Sequence, residues 1–462
     1  MKFAIIGAGL AGLTSAYELR KQDKDAVIDV YEATDRIGGK LFTVPFEAGP
    51  TDMGAEAFLA RRKDAVEFFT ELGLADSLVH PSGLRSLVYS GGETKELPAG
   101  GVMGIPAQSE PVAHLISTET AARIDDEANQ DGIDWPVGGD MNVGQLMRER
   151  YGADLVDHVV SALLGGVYSC AADDLGIRAT IPQLAEEFDR LAEAGEKITL
   201  SGAVKNLEAA RPKPAGGKPA PVFGTFRGGY AEAYEALAEQ SGADIYVDAF
   251  ISGVEKTAPG YRITGGEDKV YDRLIIATPA PTTALLLKNI APEASAALKA
   301  VKLADSVVVG MRFASAEGLP ENSGVLVASD EDGVHAKAFT FSSKKWPHLG
   351  ERGGALVRAS FGRFGDNTAL RADEDDLVDW ALDDLQTITG FDGREAGLEE
   401  IYVQRWFGGL PRYDETHLAT VAKVKQLIDD QPTLALTGAW SGGVGVPAVI
   451  ADAKAAAARV AG

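Results

Sequence analysis

The sequence predicts an α/β fold that opens with a β-α-β unit, carries a mixed sheet in its second half and closes with a strand, a turn and a helix. The opening unit follows from two short apolar runs, Lys2–Ile6 and Ile28–Glu32, on either side of an Ala- and Leu-rich helical stretch, Leu10–Lys21. Residues 305 to 361 alternate β-rich runs with turns, which predicts the mixed sheet. The segment from Leu434 to Val460 places a short strand before a Gly-rich turn and an Ala-rich helix.

The stretches between these landmarks are less regular. Helical spacing dominates from Glu119 to Glu196. The Pro- and Gly-rich run Arg211–Pro221 predicts an exposed connector, because its breakers cannot continue a helix or a strand. Further strands of the first sheet are predicted at Ile245–Val247, Gly253–Lys256 and Leu274–Ala277.

Composition and charge narrow the class of protein. The 462 residues are 45% hydrophobic and 24% charged, as in soluble globular proteins, and they suffice for two or three compact units. The formal charge of −24 makes nucleic acid or an anionic membrane surface an unfavourable partner. The single cysteine, Cys170, excludes a disulfide framework and a thiolate metal site. Because we find neither a signal-peptide pattern nor an apolar run of about 18 residues, we expect a cytoplasmic protein.

A phosphate-binding fingerprint lies between the first predicted strand and the first predicted helix. Residues Gly7 to Gly12 match GxGxxG, and the acidic residue Glu32 ends the second strand. The glycines permit a tight turn, close approach of the main chain to a pyrophosphate, and packing of the helix on the strand. The helix N-terminus favours negative charge, and Glu32 can accept hydrogen bonds from ribose hydroxyls. A dinucleotide is therefore predicted, with a plain β-α turn as the alternative.

Two further segments favour FAD over NAD. Arg36-Ile-Gly38-Gly39-Lys40 follows Glu32 closely, and its paired glycines would let the chain cross near the pyrophosphate, as in FAD-linked oxidases. Before the final helix lies the Gly-rich turn Gly438–Pro447. A helix N-terminus directed at the flavin N1–O2 edge would stabilise negative charge there. An ordinary βα loop is the alternative interpretation of this turn.

Motifs spread along the chain add a more specific pattern. They are Asp52–Lys63, Leu97–Pro106, Leu164–Tyr168 with Ile181–Gln183, Lys344–His348, Gln404–Phe407 and Gly442–Pro447. In this order and spacing they resemble the protoporphyrinogen oxidase family, in particular its soluble Gram-positive branch of coproporphyrinogen III oxidases. The resemblance covers nearly the whole chain. Amine oxidases and phytoene desaturases share the motifs at the two ends but not those in the middle.

The resemblance implies three domains. A discontinuous, Rossmann-like FAD-binding domain of the para-hydroxybenzoate-hydroxylase type would take residues 1–54, 221–292 and 431–462. A substrate domain with a mixed sheet would take residues 55–89 and 293–430. A helical domain would take residues 90–220.

The resemblance also assigns individual residues, adding to the glycines and Glu32 found above. The residues expected to bind FAD are Gly7, Ala8, Gly9, Leu10, Ala11, Gly12, Glu32, Ala33, Arg36, Gly38, Gly39, Lys40, Gly54, Ala55, Glu56, Ala57, Val254, Trp406, Val444, Gly445, Val446 and Pro447. The candidates for substrate binding are the carboxylate-recognising cations Arg61, Arg62 and Lys63, and the macrocycle-lining residues Val167 and Tyr168. A solvated helix start and an apolar core are the respective alternatives.

The implied reaction is the oxidation of a porphyrinogen to a porphyrin in haem synthesis. A methylene bridge gives a hydride to flavin N5, and oxygen reoxidises the flavin with release of hydrogen peroxide. We expect no catalytic side chain, because aromatisation supplies the driving force and the enzyme mainly positions the rings. We also expect no metal, with the porphyrinogen and molecular oxygen as small-molecule partners and ferrochelatase as a candidate for transient contact.

Other interpretations stay open from the sequence. The sequence does not show how many propionates the substrate carries, so protoporphyrinogen IX is an alternative substrate to coproporphyrinogen III. An amine oxidase or a carotenoid desaturase of the same superfamily would turn over amines or polyenes instead. A non-catalytic escort could carry a lipid or tetrapyrrole on this fold, although the retained Glu32 and Gly-rich turns favour a bound flavin.

Overall fold

The computed structural model describes residues 1–211 and 221–462. Apart from its two ends, the predicted connector Arg211–Pro221 lies outside the described residues. The described chain forms two compact units. Unit 1 contains Met1–His80, Pro221–Lys302 and Ala419–Gly462, and unit 2 contains residues 81–220 and 303–418. The division into three domains stays a prediction.

Unit 1 is built on a parallel five-stranded sheet. With strands and helices numbered along the whole chain, its spatial order is β10 (Asp244–Tyr246), β2 (Val27–Tyr31), β1 (Lys2–Ile6), β13 (Arg273–Ile276) and β19 (Leu434–Leu436). The inner strands are almost wholly buried apolar runs, as expected for a parallel sheet that is covered on both faces. The strands predicted near Lys2, Ile28, Ile245, Leu274 and Leu434 are thus confirmed.

Smaller sheets and eight helices complete unit 1. The smaller sheets pair β3 (Thr43–Phe46) with β4 (Gly49–Asp52), β9 (Phe223–Phe226) with β5 (Phe58–Leu59) and β6 (Leu78–Val79), and β11 (Gly253–Thr257) with β12 (Gly260–Thr264). The helices are α1 (Leu10–Gln22), α2 (Lys63–Glu71), α10 (Ala231–Ser241), α11 (Ala280–Leu287), α12 (Pro292–Leu298), α17 (His417–Leu427), α18 (Ala439–Gly442) and α19 (Val446–Ala461). Helix α17 begins in the last residues of unit 2 and continues into unit 1.

One face of the parallel sheet is covered by α1 and α19, which pack closely through small residues. Ala11 and Ala16 of α1 and Ala453 and Ala457 of α19 belong to the same buried cluster. The hydroxyl of Ser15 donates to the Ala453 carbonyl oxygen at 3.3 Å. Small side chains let two helices approach closely, so these residues fix α19 against the helix that follows the first Gly-rich loop.

One predicted strand lies elsewhere than expected. The segment Gly253–Lys256 was predicted to join the first sheet, but β11 pairs only with β12, in an antiparallel hairpin outside that sheet. The prediction was wrong because a short run with a single buried apolar residue, Val254, does not select a partner. The neighbouring β12 follows after a tight turn and provides the nearest edge for pairing.

Unit 2 contains a seven-stranded sheet. Its spatial order is β18 (Leu398–Pro411), β14 (Leu303–Phe313), β17 (Ala355–Phe361), β16 (Ala336–Thr340), β15 (Gly324–Val327), β7 (Ser86–Ser90) and β8 (Glu93–Glu96). Strands β15 and β7 run parallel and the other neighbours run antiparallel. The mixed sheet predicted for residues 305–361 is confirmed, and it extends beyond that segment in both directions.

Helices provide the rest of unit 2. They are α3 (Thr118–Asp126), α4 (Val143–Arg150), α5 (Ala153–Leu155), α6 (Ser161–Tyr168), α7 (Ile177–Thr180), α8 (Pro182–Glu193), α9 (Leu200–Ala209), α13 (Ser342–Lys345), α14 (Pro347–Gly350), α15 (Thr368–Arg371) and α16 (Glu374–Thr389). The helical spacing predicted from Glu119 to Glu196 is confirmed, and a π-helical turn, Val156–Val160, joins α5 to α6. Within the described ranges, no helix has the length and apolar character needed to cross a bilayer.

Candidate cofactor-binding site

The site begins at the carboxyl edge of the parallel sheet in unit 1. From the central strand β1 the chain passes to β2 on one side, whereas β13 and β19 lie on the other side. The order of strands therefore reverses beside β1, and crevices at such a switch point are where α/β sheets bind ligands. Because all five strands are parallel, the loops that follow β1, β2 and β19 open at this same edge.

The loop after β1 is tight because it lacks side chains. Gly7 has a φ of +106°, which L-residues with a side chain rarely adopt, and a Cβ there would lie 2.7 Å from the Ala277 carbonyl oxygen. A Cβ on Gly12 would overlap the carbonyl oxygen of Gly7. The loop can therefore turn directly into α1, and the N-terminus of α1 carries no side-chain cap.

A second glycine-rich segment crosses the first loop at van der Waals distance. The Gly38 N–H donates to the Ala8 carbonyl oxygen at 2.8 Å. A Cβ on Gly39 would lie 2.9 Å from the Gly9 Cα, and a Cβ on Gly9 would lie 3.6 Å from the Gly39 Cα. Main chain thus contacts main chain, and a side chain at Gly39 would push the two segments apart.

Glu32, which directly follows β2, holds the loop that follows β1. One carboxylate oxygen accepts the Ala8 N–H at 2.9 Å, and the other accepts the N–H and the hydroxyl of Thr34 at 3.0 and 2.9 Å. Since Ala8 is fully buried, its N–H depends on this carboxylate for a partner. Glu32 therefore holds the loop in shape, and its position at the end of β2 is the one required for ribose recognition.

The neighbouring cation Arg36 shapes its own segment. Its guanidinium donates to the carbonyl oxygens of Ile37 at 3.1 Å and Gly39 at 2.9 Å, and it stacks 3.9 Å from the Phe42 ring centroid. These contacts fix the crossing segment that carries Gly38 and Gly39. The contacts show that Arg36 fixes this segment, and its predicted binding to the cofactor stays a prediction.

Residues 54 to 57 are held next to the cradle. The Ala55 N–H donates to the Lys40 carbonyl oxygen at 3.1 Å, and a Cβ on Gly54 would overlap that same oxygen. Residues 54 to 57 are all partly exposed. Gly54 is thus required for the close approach of two chain segments, and the residues after it are accessible beside the first loop.

The Gly-rich turn after β19 ends at the N-terminus of α19. Gly438 and Gly443 have φ angles of +138° and +132°, and Val446 and Pro447 form the first turn of α19. The capping position, Gly445, offers no side chain to the first N–H groups of the helix. Those groups therefore carry the positive end of a 16-residue helix dipole towards the crevice edge.

Asp452, which the sequence analysis did not identify, fixes this turn. From the second turn of α19 its carboxylate accepts the Thr437 hydroxyl at 2.8 Å, the Ser441 hydroxyl at 3.1 Å and the Lys425 ammonium at 3.1 Å. A Cβ on Gly442 would lie 2.6 Å from the Asp452 Cβ. The signal in the sequence was a lone acidic residue on the otherwise apolar buried face of the final helix.

Comparison with known proteins decides the nature of the cofactor. The sequence model of the flavin containing amine oxidoreductases matches residues 10–461. The chain belongs to this family. Its cofactor is accordingly FAD, and the protein is an oxidase. The uncapped N-terminus of α1 and the crossing of two glycine-rich segments without side chains fit a dinucleotide, because its pyrophosphate needs free N–H groups and a close approach of the main chain.

Individual relatives narrow the position within the family. A coproporphyrinogen III oxidase of Mycobacterium bovis is 39% identical over 453 residues, which is 98% of this chain and 95% of the relative. One from Staphylococcus aureus is 28% identical over 99% of this chain and 98% of its own. A solved structure from Exiguobacterium, a candidate protoporphyrinogen oxidase, matches with a TM-score of 0.85 at 24% identity, over 100% and 98% of the two chains. The resemblance inferred from the motifs is therefore confirmed.

The Asp452 carboxylate, which fixes the Gly-rich turn after β19, gives a first prediction. We expect Asp452→Asn to weaken FAD binding about tenfold and to lower the free energy of unfolding by about 1–3 kcal/mol, because an amide cannot accept from three charged or hydroxyl donors. Flavin fluorescence on dilution and thermal melting measure the two effects. The matched control is Asp429→Asn, which removes an exposed ion pair with Arg459 and should change both quantities little. Equal behaviour of the two variants would contradict the role given to Asp452.

Two residues predicted to contact FAD, Val254 and Trp406, belong to strands outside the Gly-rich loops. Val254 is 1% exposed within the apolar cluster of unit 1, so its side chain is a core residue and only its main chain is available. Trp406 lies in unit 2, on β18 opposite Ser306. Their contacts with FAD stay predictions.

The predicted substrate residues fall into two groups. In unit 1, the Arg62 guanidinium forms a bidentate pair with Asp64 at 2.9 and 2.6 Å, so its charge is already matched, while Arg61 and Lys63 are exposed beside it. In unit 2, Val167 is 47% exposed at the end of α6 and Tyr168 is partly buried. Burial raises the pKa of the Tyr168 hydroxyl to about 12, so it stays protonated at neutral pH.

Proposed function

We propose that this flavoenzyme oxidises coproporphyrinogen III to coproporphyrin III in haem synthesis. The observation that carries the proposal is the 39% identity to a coproporphyrinogen III oxidase over 98% of this chain and 95% of the relative. Such coverage includes the middle motifs, which amine oxidases do not share. The intact FAD cradle of unit 1 supports a redox role over that of a non-catalytic escort.

The reaction removes hydrogen from the bridges and nitrogens of the macrocycle. FAD, when bound, would supply the acceptor for a hydride from a methylene bridge, and molecular oxygen would take up the electrons to give hydrogen peroxide. Six electrons and six protons leave in three rounds, so three molecules of oxygen give three of peroxide for each porphyrin formed. The protons leave from pyrrole nitrogen and from the bridges by tautomerisation, and no general base is assigned.

The residues of unit 1 bind and orient the cofactor in this proposal. Gly9 and Gly39 would let the main chain approach the pyrophosphate, and Glu32 would accept hydrogen bonds from the ribose. The N-terminus of α19, fixed by Asp452, would supply positive charge to the bound flavin where negative charge develops. An ordered charge of this kind stabilises a transition state without reorganisation.

The test is anaerobic mixing of the yellow holoenzyme with coproporphyrinogen III, followed by admission of oxygen. We expect the flavin absorbance to bleach, and porphyrin fluorescence and peroxide to appear in a ratio of one to three. Steady-state rates on coproporphyrinogen III and protoporphyrinogen IX then decide between the two porphyrinogens. Bleaching by an amine or a polyene, with none by either porphyrinogen, would overturn the proposal. A cytoplasmic location and a transient contact with ferrochelatase go with the proposal as predictions.

A further inference from the structure

Two cations of unit 2, one buried and one partly buried, form no ion pair with a carboxylate. Lys337 lies in β16, and Arg363 follows the end of β17. Lys337 is 5% exposed, and Arg363 is partly exposed. Among the residues that the structure describes, no Asp or Glu forms an ion pair with either side chain. Burying an uncompensated charge is costly, so a ligand of opposite charge is expected where two such charges occur together.

The Arg363 guanidinium retains donors for a further acceptor. Its Nη2 donates to the Val327 carbonyl oxygen at 3.1 Å, at the end of β15. Its Nε is buried and has no hydrogen-bond partner among the described residues. Burial lowers the pKa of the guanidinium, against a smaller raising effect of Asp366. An arriving carboxylate could approach only the exposed part of this partly buried guanidinium, and it would supply the missing charge.

Lys337, in contrast, has its donors used but its charge unmatched. The ammonium donates to the Ser169 hydroxyl at 2.7 Å and to the carbonyl oxygens of Gly362 at 2.6 Å and Phe361 at 3.3 Å. All three acceptors are neutral. Ser169 ends α6 with a φ of +53°, so the lysine ties the C-terminus of that helix to the end of β17.

The helix above Arg363 presents an apolar surface without side chains. A Cβ on Gly165 would lie 3.8 Å from the Arg363 Nε, and a Cβ on Gly166 would lie 3.3 Å from the Leu326 Cδ2. The next residue, Val167, is 47% exposed. Val167 lies on another side of the helix from Gly165, so the surface beside the guanidinium is the exposed Gly166 with Leu326, and this bare main chain with an apolar side chain suits a flat apolar ligand with carboxylates at its edge.

We propose that Arg363 binds a carboxylate of the substrate and that the buried charge of Lys337 strengthens this subsite. The inference rests on the proposed function, because a porphyrinogen is a flat macrocycle with propionates on its rim. Arg363 is then a binding residue, and Lys337 is a positioning residue that also holds the end of α6. The subsite takes the role that the sequence suggested for Arg62, whose charge is paired with Asp64.

The protonation of Lys337 couples this subsite to pH. Burial, and then the Arg363 cation, lowers the pKa of Lys337 to about 7, against a smaller raising effect of Cys170. Burial raises the pKa of Cys170 to about 12, with Asp174 and Arg412 acting on it as well. A bound carboxylate favours the ammonium form of Lys337. Binding near neutral pH therefore takes up a proton, and affinity falls as the pH rises above about 7.

The test compares Arg363→Met with the wild-type holoenzyme. We expect the KM for coproporphyrinogen III to rise about 10- to 100-fold, the range for loss of a hydrogen bond to a charged group, with kcat changed less than about threefold. Binding of coproporphyrin III and of its tetramethyl ester, followed by fluorescence, provides a readout without turnover. The wild type should prefer the free acid, and Arg363→Met should lose that preference.

Three further variants separate binding from folding. Arg371→Met, an exposed arginine of the same unit, is the matched control and should leave the KM within about twofold of the wild-type value. Arg363→Lys should retain part of the preference for the acid. Arg363→Met should melt at or above the wild-type temperature, because removing an unpaired buried cation relieves its desolvation cost. Lys337→Met should flatten the dependence of coproporphyrin affinity on pH between about 6 and 8.

The outcomes distinguish this inference from the proposed function. If the wild type oxidises coproporphyrinogen III and Arg363→Met keeps both the KM and the preference for the acid, the subsite is wrong and the function stands. If the wild type oxidises no porphyrinogen, the proposed function is wrong, and porphyrin binding alone judges the subsite. A lower melting temperature of Arg363→Met with unchanged binding would make Arg363 a structural residue and overturn the inference.

Discussion

Gly12→Ala is expected to yield a protein without FAD. The added methyl group would overlap the Gly7 carbonyl oxygen, which belongs to the main chain and cannot move without the loop. Either α1 or the loop after β1 must shift, and α1 is fixed against α19 by their shared buried cluster. We expect the free energy of unfolding to fall by about 3 kcal/mol or more. Flavin absorbance per protein and thermal melting measure the two losses.

Two other glycines define what this result means. Gly253→Ala is the matched control in unit 1, since its Cβ would lie 3.6 Å from the Thr264 hydroxyl, an ordinary contact, and it should retain FAD and stability. Gly9→Ala should fold, because its nearest neighbour is also 3.6 Å away, but should bind FAD poorly, because the second glycine of the fingerprint lets the main chain approach the pyrophosphate. A yellow, stable Gly12→Ala protein would show that the loop has another conformation that binds FAD.

Glu32→Ala should lower the affinity for FAD by about 100-fold or more while leaving a folded protein. The substitution removes two hydrogen-bond acceptors, the one for the ribose hydroxyls and the one for the buried Ala8 N–H. Each loss costs about 1–3 kcal/mol of free energy. The second loss also loosens the first loop before the cofactor arrives. Titration of the apoprotein with FAD, followed by quenching of flavin fluorescence, gives the dissociation constant.

The control for Glu32 removes the same charge from the same loop. Asp35→Ala lies three residues further on and is exposed, so it should change the dissociation constant less than about twofold. Glu32→Gln keeps the shape and one acceptor and should fall between the two. An unchanged dissociation constant in Glu32→Ala would mean that neither of its hydrogen bonds prepares the site.

The parts of unit 1 that the sequence predicted well are those where a local pattern also fixes the tertiary position. β1 is a run of buried apolar residues that only the middle of a parallel sheet can accommodate, and Gly7 and Gly12 are required by contacts within their own loop. The short strand that begins at Gly253 lacks such a pattern, because its single buried residue does not determine which strand it pairs with. The ion pair of Arg62 with Asp64 could have been predicted from the sequence, since only one residue separates them in the chain.

The residues that the sequence did not reveal act through contacts across long stretches of chain. Lys337 meets Ser169, and Asp452 meets Lys425 and Thr437, and none of these contacts leaves a periodic or spaced pattern. A lysine inside a strand of apolar neighbours is a weak hint by itself, since edge strands also carry lysines. Only the packed structure shows that the ammonium is buried and unmatched.

The parallel sheet of unit 1 has a consequence for biosynthesis. β1 and β2 are synthesised before β13 and β19, which pair on the other side of β1 and follow some hundreds of residues later. Folding of this unit therefore has a high contact order, and one edge of β1 stays unpaired until β13 has been synthesised. The N-terminus of α19 follows every other segment of the cofactor site along the chain, so the complete site forms only after it has been synthesised, and FAD that is present then stabilises the newly closed sheet by mass action.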